Sequence, residues 1–144
     1  MESSPMMGPL SSADSGKILP KQLLTLVVCC LAISVIVIDF TIVINALPSI
    51  QATFTGVSVK DLEWITSLYG VVFGSFLLTW GKLGDEFGRK RILMGGIAIF
   101  VVGSVIDGLS GNLAMMLVGR IIQGFGGAMA SPSTLSILST TFTG

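Results

Sequence analysis

Four long apolar stretches separated by short polar breaks set the pattern of this chain. The first runs from about Leu23 to Leu47, is interrupted by Asp39 and is closed by Pro48. The second covers about 62–80, the third about 92–109, and the fourth about 113–138, with Pro132 inside it. At 1.5 Å of rise per residue, each stretch is close to or above the length needed to cross a hydrocarbon core of about 30 Å. The breaks between them are a polar segment at 49–60, a charged turn at 81–91 and a short turn at 110–112. Residues 1–21 are rich in Ser, Pro, Gly and Met without hydrophobic periodicity, which predicts a disordered tail. The pattern therefore predicts an all-α membrane protein with four transmembrane helices over 22–144.

Two details support that reading. Trp64 and Trp80 bracket the second stretch roughly 24 Å apart along a helix, as expected of indoles at the two membrane interfaces. The first stretch is too long for the core of a cleaved signal peptide and ends without a small-x-small site, so it reads as a retained span.

Composition sharpens the class. Apolar residues make up 51% of the chain and charged residues 11%, with a mean hydropathy of +0.90. About a quarter charged is usual for a soluble domain, so a water-facing surface cannot be built from this chain. The formal net charge is zero, which argues against nucleic acid as a partner and leaves the lipid bilayer. The chain has no histidine, which excludes a Ser-His-Asp triad and most zinc sites. Cys29 and Cys30 are adjacent inside an apolar run and read as free buried thiols. Lys82 is followed by Leu83, so no phosphate loop forms there. Gly124-Phe125-Gly126-Gly127 has no preceding strand, and close helix packing explains it. No metal, cofactor or enzyme constellation can be assembled.

Charge then orients the chain. Lys82, Asp85, Glu86, Arg89, Lys90 and Arg91 crowd into the segment 81–91. Lysine and arginine beside a span resist translocation, so this turn and the N-terminus are expected on the cytoplasmic side of the plasma membrane. Four spans return the C-terminus to that side.

Charges inside spans are the candidate chemistry. Each costs at least about 2.5–3.5 kcal/mol at mid-depth and calls for a partner or a wet cavity. Asp39 lies nine residues before Pro48 and Arg120 seven residues after Leu113. Both then sit roughly 10–14 Å below the outer surface and are candidates for a buried pair between spans one and four. Such a pair either fixes helix register or serves as a titratable, proton-linked site. Asp107, near the outer end of span three, is expected to be solvated or capping. Gly70-x-x-x-Gly74 predicts a close-packing seam on span two, and Arg120, Gln123, Gly124 and Gly127 share a face of span four.

Three segments resemble signatures of the major facilitator superfamily. Gly81 to Arg91, GKLGDEFGRKR, is similar to its loop between spans two and three, although Glu86 stands where that pattern often carries a basic or polar residue. Asp39 to Pro48, DFTIVINALP, is similar to the span-one signature of the drug:proton antiporter branch, EmrB/QacA type. Arg120-Ile-Ile-Gln-Gly124 with Gly126 to Ala130 resembles that branch's span-four signature. The resemblance covers about Lys21 to the C-terminus.

It implies part of the N-terminal six-helix half of a major facilitator fold, built from inverted three-helix repeats. It further implies an exporter of amphipathic small molecules driven by protons. In that family Asp39, Asn45, Arg120 and Gln123 would belong to the proton-coupling site or substrate cavity. Gly81, Gly84, Asp85, Gly88, Arg89, Lys90 and Arg91 would form the cytoplasmic gate loop, and Gly124 and Gly127 would serve packing. One repeat and the first helix of the next are expected to be incomplete as a transporter. A small four-helix membrane protein acting by oligomerisation, or as a non-transporting membrane partner, is the alternative.

Overall fold

The computed structural model describes residues 20–142 as four α-helices: α1 Pro20–Thr53, α2 Val59–Phe87, α3 Arg89–Gly108 and α4 Leu113–Phe142. All four are long and apolar enough to cross a membrane. They run up and down. The α2–α3 junction, the start of α1 and the end of α4 lie at one end of the bundle, and residues 54–58 and 109–112 lie at the other. Most of the predicted tail lies outside the described residues, but Pro20 and Lys21 already belong to α1.

Two predicted breaks are instead helical. Pro48 does not end α1, which continues to Thr53. A proline removes one backbone donor, and here the following turn still closes, with Phe54 N–H donating to the Ile50 carbonyl at 3.0 Å. The chain reverses only around Gly56, whose φ of 91° suits a residue without a Cβ. Ser58 then caps α2: its N–H donates to Asp61 Oδ2 at 2.8 Å, and Asp61 N–H donates back to Ser58 Oγ at 3.4 Å.

The charged segment 81–91 is not a loop either. Helix α2 continues through Phe87, α3 starts at Arg89, and Gly88 alone breaks the helix with φ 94° and ψ 117°. Helix α2 runs past its apolar part through Gly81 and Gly84, which keep helical geometry, and only Gly88, at positive φ, breaks it. Arg91 N–H and Ile92 N–H donate to the Gly88 carbonyl, so α3 starts without slack.

The core lies between α3 and α4, which approach so closely that glycine is required. A Cβ on Gly96 would lie 2.8 Å from the Gly126 carbonyl oxygen, and one on Gly126 would lie 2.5 Å from the Phe100 nitrogen. A Cβ on Gly103 would meet Gln123 Cγ at 2.6 Å. Helix α2 joins α4 through Tyr69 and Phe73, which lie against Gly124 and Gly127. Trp80 packs edge-on against Phe125, with 5.3 Å between ring centroids, and so serves the bundle. Helix α1 meets α4 and α2 but buries little beyond Cys29 and Ile36. Its outward face, including Leu24, Val28, Leu31, Val35 and Ile38, is exposed and apolar. Lipid or further protein is the natural solvent for such a face.

Candidate functional site

One side chain draws all four helices together. Arg120, on α4 about 10 Å along the helix from Leu113, has a side chain only 3% exposed. Its Nη1 donates to Asp39 Oδ2 on α1 at 3.0 Å, and its Nε lies 2.9 Å from Asp107 Oδ2 on α3. Tyr69 from α2 places its ring beneath the guanidinium, 5.8 Å from Cζ to centroid. Gln123, one turn further along α4, donates through Nε2 to Asp39 Oδ1 at 3.1 Å and to Ser104 Oγ on α3 at 2.6 Å. The result is one cation held between two carboxylates, with a carboxamide steering the first of them.

The spacing on α4 explains why these groups converge. Arg120, Gln123, Gly124 and Gly127 fall on one stripe, and all four are buried. Glycines on the same stripe bring α2 within reach, and Gly103, Gly119 and Gly126 do the same for α3. Asp107 Oδ1 occupies the place that a Cβ on Gly119 would fill, so that glycine is the seat of the second carboxylate.

The contact between Asp39 and Arg120 anticipated from their depths is present. Asp107 departs from expectation: it neither caps nor faces solvent but pairs with Arg120, its side chain 10% exposed against 20% for Asp39. It sits near the end of α3, where an interfacial position would be usual, but it lies one turn from Gly103 on the stripe that faces α4. That shared stripe was the available signal. Tyr69 and Ser104 carried no comparable signal in the sequence.

Other candidates stand apart. Asn45 is exposed and donates through Nδ2 to the Thr41 carbonyl on its own helix at 2.8 Å. Gly70 and Gly74 are exposed, and a Cβ on either would meet nothing within 4 Å. The expected seam on α2 is therefore not where the described helices pack, because α2 packs through Leu62, Ile65, Tyr69 and Phe73 instead.

The 81–91 segment makes a second polar contact at the opposite end. Arg89 forks onto Asp85 through Nε at 3.0 Å and Nη2 at 2.8 Å, while Nη1 donates to the Ser136 carbonyl on α4 at 3.0 Å. Gly81 and Gly84 lie beside Pro132 and Ser133 of α4, where an added Cβ would make ordinary contact at 3.8 and 3.5 Å. Lys90 and Arg91 are exposed. Among the described residues no group of His, Cys, Asp and Glu could hold a metal ion.

Comparison with known proteins bears on the family of the chain. The model of the Major Facilitator Superfamily matches residues 29–144. The chain is 35% identical over 117 residues to a cephamycin export protein of Amycolatopsis lactamdurans, covering 81% of this chain and 24% of that protein. It is 40% identical over 118 residues to a tetracenomycin C resistance and export protein of Streptomyces glaucescens, covering 82% and 22% respectively. It is 36% identical over 118 residues to a multidrug efflux pump of Mycolicibacterium smegmatis, covering 82% and 23%. The chain thus spans about a quarter of the length of these relatives.

Proposed function

Because this chain belongs to the Major Facilitator Superfamily, we propose that it supplies the first four spans of a proton-coupled exporter of drug-like amphipathic molecules. The observation that carries this reading is the Asp39 carboxylate, held inside a membrane bundle by Arg120 and Gln123 yet left partly accessible. A fully sequestered ion pair would serve only to fix register. A carboxylate that keeps one open side can exchange its cationic partner for a proton or a cationic substrate, and export by the relatives named above supports that use.

The geometry around Asp39 supports proton coupling there. A proton arriving at Asp39 removes the charge that Arg120 Nη1 binds, and α1 is then held to α4 less tightly. At the other end, Arg89 ties the α2–α3 junction to the Ser136 carbonyl of α4. Lys82, Arg89, Lys90 and Arg91 favour placing that end in the cytoplasm. Helices beyond these four would complete the cavity and provide the second body needed for alternating access.

Inverted membrane vesicles carrying the longer exporter that this reading implies provide the test. They are expected to accumulate ethidium when their lumen is acidified and to release it when nigericin collapses the gradient. Accumulation indifferent to nigericin would exclude proton coupling.

A further inference from the structure

Arg120 has two counter-ions where one would neutralise it, and they differ in how firmly they are held. Asp107 stands on α3, the helix locked to α4 by Gly96, Gly103, Gly119 and Gly126, and its carboxylate fills the notch at Gly119. It accepts no hydrogen bond among the described residues and faces Arg120 Nε alone. Asp39 stands on α1, its side chain 20% exposed against 10% for Asp107, and is positioned by Gln123. The charged and titratable groups around Asp39 are therefore Arg120 from α4, Asp107 from α3 and Tyr69 from α2.

We propose that Asp107 is the standing counter-ion of Arg120, a positioning residue whose charge leaves Asp39 exchangeable and makes the loaded site electrically neutral. This rests on the exporter reading above. With both carboxylates ionised, the empty site carries one net negative charge. Adding one monovalent cation at Asp39 leaves two neutral pairs, Asp39 with the cation and Asp107 with Arg120. Without Asp107 the same loading would leave a net positive charge within the membrane, a costly state. Any cation would then compete with Arg120 for a single carboxylate.

Binding of tetraphenylphosphonium to the purified exporter tests this, alongside thermal unfolding in detergent. Asp107→Asn is expected to fold, because Asp39 still neutralises Arg120, and to bind tetraphenylphosphonium at least tenfold more weakly. Asp107→Glu is expected to recover most of that loss. Asp39→Asn should fold as well, since Asp107 remains, whereas Asp39→Asn with Asp107→Asn should not. Unchanged binding by folded Asp107→Asn would overturn the proposal, as would failure of either single variant to fold. If the unsubstituted protein binds no tetraphenylphosphonium, the exporter reading fails, and the folding comparison alone decides the role of Asp107. A double variant as stable as the single ones would then refute it.

Discussion

Arg120→Met is expected to be the most damaging single substitution in this chain, removing most of the folded protein. Methionine is long and flexible enough to occupy much of the space, so the loss would come from charge. Asp39 and Asp107 would face each other across the position of Arg120 with no cation between them. Breaking a buried ion pair by removing one partner costs about 3–5 kcal/mol, and here two carboxylates lose their partner together. Yield in detergent and the midpoint of thermal unfolding measure this. Combining Arg120→Met with Asp39→Asn and Asp107→Asn should restore folding, because the stranded charges are then gone. A single variant as stable as the unsubstituted protein would show that the cluster carries little of the fold.

Gly126→Ala should have the next largest effect, through contact alone. Its methyl group would lie 2.5 Å from the Phe100 nitrogen and 2.7 Å from the Gly96 carbonyl oxygen, both backbone atoms that cannot turn aside. Helices α3 and α4 would have to separate, and the clearance that brings Gln123 to Ser104 would be lost with them. Overpacking typically costs about 1–3 kcal/mol, and an immobile neighbour places this case at or above the upper end. Gly70→Ala and Gly74→Ala supply the contrast, since neither methyl group would meet anything within 4 Å. Replacing a mid-helix glycine that has free space should stabilise by up to about 1 kcal/mol. Unfolding midpoints of the three variants in detergent check both halves. Equal effects at Gly126 and Gly70 would contradict the packing described.

These glycines show where sequence reading reached its limit. The pattern Gly70-x-x-x-Gly74 says that α2 can be approached closely, but it does not say by what. Which face of α2 meets α4 was decided by the larger apolar residues Leu62, Ile65 and Tyr69, which lie on a different stripe. On α4, by contrast, glycines and polar residues share one face, so that stripe could be read directly.

Helix count and the Asp39–Arg120 contact were legible for a simple reason. Span length and distance from a helix end fix height in the membrane almost without knowledge of packing. Rotation of a helix about its axis is not fixed that way. Asp107 was accordingly placed near the end of α3, but its side chain was expected to be solvated or capping when it is turned inward to Arg120. Helix ends were misread at Pro48 and in 81–87 because both segments looked like punctuation by composition. Backbone bonding continues through them, and Gly56 and Gly88, with φ of 91° and 94°, are where the chain turns.

Exchange at Asp39 is the claim on which the functional account rests, and ethidium transport by the Asp39→Asn exporter in proteoliposomes tests it most directly. Asp107 still neutralises Arg120 in this variant, so normal yield is expected. The account predicts that accumulation driven by a pH gradient and ethidium exchange without a gradient both fall at least tenfold, because Asp39 is the carboxylate that takes either cation. Gradient-driven accumulation at the level of the unsubstituted protein would contradict it.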